Sequence, residues 1–302
     1  KEFQMKYGEI SKARVCLIAL GKLGSHEMTP ISDLDLVIIY DYEAGSSDSN
    51  GIKSLPPGQY FSRFAQHFIS AVMSPTAEGI MYEVDMRLRP SGESGPIACT
   101  LKTFSNYHKY EAWVWEKMAL TRARVIAGDK SLCKEVNDTI LTLLTEKSPS
   151  KMLAREIGEI RVKIDKEHHT VSPWSLKYLR GGLMDIEFII QYLLLKHAPS
   201  NPRILSPNTW RALKNIELYE LMSQNDIDTL EGALTLWQAL QSRLHLSLDK
   251  NFPTTDPKHL PKNLQAILAE IGGVNSLDDI EVLIQDTAMK VLIIYERTIG
   301  IN

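Results

Sequence analysis

The stretch that most constrains this chain runs from Val15 to Tyr40 and reads VCLIALGKLGSHEMTPISDLDLVIIY. It is built from two apolar runs separated by a turn that holds Gly21, Gly24 and Ser25, with Asp33-Leu34-Asp35 leading the second run. Successive side chains of a strand point to opposite faces, so Asp33 and Asp35 are expected to project to one side and Leu34 and Leu36 to the other. Two carboxylates sharing one small volume oppose each other's ionisation unless a cation neutralises them, and hard oxygen ligands of this kind suit Mg²⁺ bridging to phosphates. The Gly21-Lys22-Leu23-Gly24-Ser25 turn offers the complementary half: glycines that let backbone N–H groups approach an anion, a hydroxyl and a lysine. Together these features point to a nucleoside triphosphate held beside a metal. The alternative is purely structural, with Asp33 capping a turn and Asp35 at a sheet edge.

Gly24-Ser25 followed after a short spacer by Asp33-Leu34-Asp35 resembles the signature of the nucleotidyltransferase superfamily typified by DNA polymerase β. In that superfamily a third carboxylate on a neighbouring strand completes the metal site. Asp85 is the candidate here. It lies in Gly79–Pro90, where Tyr82, Val84, Met86 and Leu88 alternate with Glu83, Asp85, Arg87 and Arg89, so a strand there has one apolar and one charged face. A solvated amphipathic strand has the same pattern; a metal ligand flanked by the phosphate-binding arginines Arg87 and Arg89 also fits it.

With 302 residues, 44% of them hydrophobic, the chain can bury a substantial core, and its length favours two domains. A net charge of −3 gives no overall basic field, so nucleic acid is not expected as a partner. Cys16, Cys99 and Cys133 are odd in number and widely spaced, which argues against a disulfide framework and for a reducing compartment. No apolar run approaches membrane-spanning length and no cleavable leader is visible, so a cytoplasmic protein with no membrane partner is expected. Lys1 to Ala13 reads as the tail of a helix or linker, and the absence of Met or a helix-start signal at Lys1 suggests a longer parent protein.

Along the chain, strands are expected at Arg14–Leu20 and Leu34–Tyr40, then a surface loop over Glu43–Gln59. Phe61, Phe64, Ala65, Phe68, Ile69 and Val72 recur at steps of three and four, the mark of an amphipathic helix, with His67 a surface residue. Trp113, Trp115, Met118, Leu120 and Val125 read as core, followed by a strand from which Arg122 and Arg124 could reach the site. The polar stretch Gly128–Ser150 is taken as the boundary between a domain at 1–130 and a helical bundle at 150–302. In that bundle Leu153, Ile157, Ile160 and Ile164 share a face, Leu183–Lys196 is a strongly apolar helix, and Leu230, Leu234, Trp237, Leu244 and Leu248 line another. His168-His169 reads as a helix C-terminus, where cations suit the dipole. Gly181-Gly182 with Asp185 and Glu187 serves either capping and close packing or the active site; both readings stay open.

Four strings make the resemblance closer: GKLGSHEMTPISDLDLVIIYD (Gly21 to Asp41), GIMYEVDMRLRPSGESGP (Gly79 to Pro96), EAWVWEKMALTRARVIAGD (Glu111 to Asp129) and GGLMDIEFIIQYLLL (Gly181 to Leu195). Together they resemble the family of bifunctional glutamine synthetase adenylyltransferase/adenylyl-removing enzymes. The resemblance implies an α+β fold, a polymerase β-like nucleotidyltransferase domain followed by an all-α bundle. It also implies two Mg²⁺ ions on Asp33, Asp35 and Asp85, ATP held by Gly24, Ser25, Lys22, Arg87 and Arg89, and glutamine synthetase as the protein substrate. A PII-type signalling protein is the partner implied for the full-length enzyme. Tyr82-Glu83-Val84-Asp85, Ser91-Gly92 and Glu111–Glu116 resemble the attaching, C-terminal half of that family more than the removing half. The alternatives are the phosphorolytic half and a catalytically silent regulatory module.

Overall fold

The computed structural model describes residues 2–43, 45, 47–147, 149–168, 172–248 and 259–300. It is an α+β protein, with twelve α-helices and five strands among the described residues, and it divides into two compact units. The first comprises Lys1–Met28 and Ser32–Glu146; the second, Thr29–Ile31 and Lys147–Asn302.

In the first unit the elements run α1 (Glu2–Tyr7), β1 (Arg14–Ala19), α2 (Gly21–Ser25), β2 (Leu34–Asp41), α3 (Pro57–Val72), β3 (Val84–Asp85), β4 (Ala98–Thr100), α4 (Leu101–Tyr110), α5 (Val114–Leu120), β5 (Arg124–Gly128) and α6 (Lys130–Leu144). The sheet is mixed. β1 lies antiparallel between β2 and β5, and β2 carries two parallel partners, β3 along Leu34–Asp35 and β4 along Ile38–Tyr40. Buried Leu36 and Ile38 of β2 meet Ala19, Ala65 of α3, Met86 and Ala98 in one apolar core. A second cluster joins Phe3 of α1 and Ile10 to Tyr60 and Phe61.

Four expectations need correction. The turn Gly21–Ser25 is one short helix. α3 starts at Pro57, inside the expected Glu43–Gln59 loop, because proline suits the first helical turn, where an N–H has no partner. The expected strand through Gly79–Pro90 shrinks to two residues: the Arg87 N–H turns to Asp85 Oδ1 (2.8 Å) and the Arg89 N–H to the Met86 carbonyl (3.2 Å), so local bonds displace the ladder. Trp113 and Trp115 are 70% and 41% exposed, while Met118 and Leu120 are core. The reason is Glu116, which is buried and accepts from the Trp113 N–H (2.9 Å) and the Tyr107 hydroxyl (2.8 Å), so α5 turns its carboxylate inward and its indoles outward.

Within the polar stretch Gly128–Ser150, residues 130–144 form α6, capped by Asp129 and packed through Leu132, Val136 and Ile140. The second unit continues with α7 (Ser150–Glu167), α8 (Leu183–His197), α9 (Thr209–Leu218), α10 (Gln224–Ser247), α11 (Lys262–Ile271) and α12 (Leu277–Thr298). Leu153 and Ile157 are buried on α7, and Leu230, Leu234, Trp237 and Leu244 on α10. His168 follows α7 as its C-cap; His169 lies outside the described residues. No described helix is long and apolar enough to cross a membrane.

Candidate active site

The site is organised by the junction of β1, α2 and β2. β1 ends at Ala19, and the Leu20 N–H donates to the Asp35 carbonyl (2.9 Å), which holds the start of α2 against the second residue of β2. Gly21 follows with φ +50°, and a Cβ there would lie 2.0 Å from Asp35 Oδ2. Only glycine lets the backbone turn there and the carboxylate sit against it. Gly24 meets a different wall, since its Cβ would fall 2.0 Å from the Arg122 carbonyl oxygen. These close approaches serve an internal carboxylate and an internal carbonyl.

On β2, Asp35 is a register partner of Asp85 on parallel β3, next to the pair Leu34–Val84. Two of the three expected carboxylates are therefore adjacent on neighbouring strands. Asp33 is exposed and lies one residue before β2 begins, outside the ladder that pairs Asp35 with Asp85.

Asp85 is engaged by Arg87. Its Oδ1 accepts the Arg87 backbone N–H (2.8 Å) and its Oδ2 accepts both Nε (2.8 Å) and Nη2 (2.5 Å) of the guanidinium. Burial pushes the Asp85 carboxyl up, but the Arg87 side-chain and backbone bonds and the charges of Arg87 and Arg89 outweigh it and hold it below the usual carboxylate range. Arg89 donates to the carbonyls of Met86 (2.8 Å) and Gly95 (3.4 Å), tying together the turn that follows β3.

Ser25 is fully buried; its Oγ accepts from Arg122 Nη2 (2.8 Å) and donates to the Lys22 carbonyl (3.3 Å). The expected phosphate donor thus faces protein. Lys22 is half-buried on α2. Arg122 also pairs with Glu27 (2.9 Å), both side chains being 12% exposed. Arg124, at the start of β5, donates to the carbonyls of Gly24 (3.0 Å) and Leu23 (2.7 Å). Both arginines reach the α2 turn, where they satisfy the carbonyls and hydroxyl at its C-terminal end.

The carboxylates do not form a ready metal cage. Among the described residues no group of three or more His, Cys, Asp or Glu side chains is placed to hold a metal ion. As arranged, Asp33, Asp35 and Asp85 do not fit the two Mg²⁺ ions that the sequence led us to expect, and the donor set at Asp85 is spent on an arginine.

In the second unit, Asp185 is fully buried and bonded to Arg161 Nε (2.5 Å) and to the Gly181 N–H (2.5 Å). Gly181 has φ +81°, and a Cβ would lie 1.8 Å from the Ala288 carbonyl oxygen, so close packing accounts for glycine at this position. Arg161, also fully buried, sits on the apolar face of α7 in line with Leu153 and Ile157. Sequence reading passed over it; the signal was a basic residue four positions after Ile157 on an otherwise apolar stripe.

Residues 2–139 match the family model described as "Glutamate-ammonia ligase adenylyltransferase", and residues 153–293 match that of "GlnD PII-uridylyltransferase". The curated "Bifunctional glutamine synthetase adenylyltransferase/adenylyl-removing enzyme" of Rhodopseudomonas palustris (strain BisB5) is 38% identical over 99% of this chain and 30% of its own length. Its namesakes from Rhizobium meliloti (strain 1021) and Xanthobacter autotrophicus (strain ATCC BAA-1158 / Py2) are 40% and 39% identical, over 99% and 98% of this chain and 30% of their own. The chain therefore spans about 30% of the length of the curated relatives it matches. The first unit thus resembles the glutamine synthetase adenylyltransferase family, and nearly the whole chain is similar to a segment of the bifunctional glutamine synthetase adenylyltransferase/adenylyl-removing enzymes.

Proposed function

We propose that this protein is a nucleotidyltransferase that moves AMP from ATP to a tyrosine hydroxyl of glutamine synthetase, and so switches off nitrogen assimilation. The observation that carries the reading is the side-by-side placement of Asp35 and Asp85 next to the Gly21–Ser25 turn, in a chain whose relatives are named for this transfer. The tyrosyl oxygen forms a bond to the α-phosphorus, the bond from that phosphorus to the bridging oxygen breaks, pyrophosphate leaves, and the tyrosine proton passes to water. Catalysis of this kind is mostly positioning and charge stabilisation.

Lys22 and Arg87 are the cations assigned to the triphosphate. Arg89 contributes by holding the turn after β3, and Gly24 and Ser25 by letting α2 pack against Arg122. Asp33, Asp35 and Asp85 are the carboxylates assigned to the site; as arranged they do not fit two Mg²⁺ ions, and no step of the transfer is routed through a metal. We assign the transfer to residues 1–130 and a helical domain to 150–302. The match of residues 153–293 to the PII-uridylyltransferase model supports a PII-type protein as a regulatory partner. The working compartment of this reading is the cytoplasm.

The strings Tyr82–Asp85, Ser91-Gly92 and Glu111–Glu116 favour attachment over removal. Incubation with unmodified glutamine synthetase, Mg²⁺ and α-labelled ATP is expected to label a tyrosine and release pyrophosphate, while modified glutamine synthetase and phosphate yield little ADP. Rapid phosphate-dependent ADP formation without AMP attachment would reassign the chain to removal, and no transfer in either direction would leave a silent module.

A further inference from the structure

The corner between α4 and α5 is the least expected surface of the first unit. Tyr110 closes α4, Trp113 precedes α5 and Trp115 lies in its first turn, and they are 73%, 70% and 41% exposed. Among the described residues no other Tyr, Trp or Phe is exposed. The corner is firmly held. The N–H groups of Glu111 and Ala112 both donate to the Tyr107 carbonyl (2.8 and 2.9 Å), and buried Glu116 accepts from the Trp113 N–H and the Tyr107 hydroxyl. Burying a carboxylate is costly and leaving indoles in water forgoes their burial, so both terms oppose folding and folding alone does not account for the arrangement.

We propose that this corner is the surface on which a protein substrate lays the segment carrying its acceptor tyrosine, with Trp113 and Trp115 as the anchoring rings. The inference rests on the reading of the chain as a transferase acting on a protein tyrosine. Size, shape and position choose this occupant. At roughly 150–250 Å² per ring, the three side chains leave on the order of 350 Å² to be covered, well short of the roughly 800 Å² per partner of a stable complex or dimer. A patch of that size suits a short segment that is bound briefly and released, as a substrate must be. A nucleobase stacks on one ring, whereas three are set around this corner. Rigid rings also lose little conformational entropy on contact, which is why such residues dominate recognition surfaces. As to position, α5 runs from the rings to Thr121, and the next residue, Arg122, holds Ser25 Oγ (2.8 Å) at the α2 turn. A rise of about 1.5 Å per residue places that grip roughly 13 Å from Trp113, a gap that about four extended residues of an acceptor segment span.

The test is sedimentation velocity of the full chain with unmodified glutamine synthetase, beside equilibrium dialysis of a non-hydrolysable ATP analogue and transfer from α-labelled ATP. The parent is expected to bind glutamine synthetase, and Trp113→Ser combined with Trp115→Ser to bind it about thirtyfold more weakly, the loss that anchoring rings produce. The ATP analogue should bind both forms alike. Trp113→Phe with Trp115→Phe, which keeps a ring at each position, should recover most of the loss. Circular dichroism checks folding, which the exchange of two exposed indoles is not expected to affect. If the parent transfers AMP and the serine variant binds glutamine synthetase as tightly as the parent does, the transferase reading stands and the docking role is overturned. Loss of the ATP analogue instead would make the rings a platform for the base, and a parent dimer that the serine variant breaks would make them a contact between copies; either result overturns the inference. If the parent neither binds glutamine synthetase nor transfers AMP to it, the transferase reading fails and the inference with it.

Discussion

Asp35 and Asp85 are register partners across parallel strands β2 and β3, two carboxylates from segments fifty residues apart brought level by a two-residue ladder. β3 is too short to be stabilised by its own length. Its place is held by Met86 in the apolar core and by the Leu34 N–H donating to the Glu83 carbonyl (2.8 Å). The geometry that matters most chemically therefore depends on one buried side chain and a single turn.

Asp35→Asn or Asp85→Asn should lower adenylyl transfer by at least about a hundredfold while preserving the fold, since each change keeps volume and removes a charge. Asp33→Asn should do the same even though Asp33 is exposed and precedes the strand. Steady-state rates alongside circular dichroism check this; a loss smaller than tenfold for any of the three would remove that residue from the site.

Gly21→Ala should cost both stability and activity. The added methyl would lie 2.0 Å from Asp35 Oδ2 at a φ of +50°, so the backbone or the carboxylate must move. A left-handed non-glycine residue alone costs on the order of 1 kcal/mol, and the clash adds to it. Chemical denaturation should show the loss, and wild-type activity in this variant would mean that the position of Asp35 does not matter.

Asp185→Asn should destabilise the chain by roughly 3 kcal/mol or more, because it leaves Arg161 charged, fully buried and without its carboxylate. Replacing both partners by apolar residues of similar size should recover most of that loss. The pair of measurements, by urea unfolding, separates the penalty of an orphaned charge from the worth of the ion pair itself. A single variant as stable as the parent would show that Asp165, near Arg161 at 3.7 Å, suffices as a counter-ion.

His108 makes the fold sensitive to acid. It is 1% exposed, packs on Phe104 at 4.5 Å, and neither ring nitrogen has a hydrogen-bond partner. Burial, reinforced by the charge of Lys117, pushes its pKa down to about 4. The unfolded chain then takes up a proton below pH 6.5 that the folded chain refuses until about pH 4. Stability is full above 6.5 and falls across that window, by roughly 3 kcal/mol in the limit. His108→Phe should flatten the fall; an unchanged pH profile of unfolding would assign the acid sensitivity to other groups.

The sequence by itself determined the elements with strong periodicity. β1 and β2 follow from two continuous apolar runs, α3 from its 3.6-residue spacing, and α8 and α10 from long leucine-rich faces, because hydrophobic pattern is a local property that burial then reads out. It also singled out Asp35, Asp85, Arg122 and Arg124 as residues of one neighbourhood. What only the tertiary structure decided was which groups those residues meet. Whether Arg87 turns to Asp85 or to solvent, whether Ser25 faces a ligand or Arg122, and whether Trp113 and Trp115 are buried or displaced by Glu116 all depend on polar partners distant in sequence or on competition between short-range bonds. Buried polar groups must find partners, and the partner is chosen by the assembled fold. Alternation along Tyr82–Leu88 specified a strand, yet two backbone bonds to Asp85 and Met86 ended it after Asp85, and that ending is what points Arg87 back at the carboxylate.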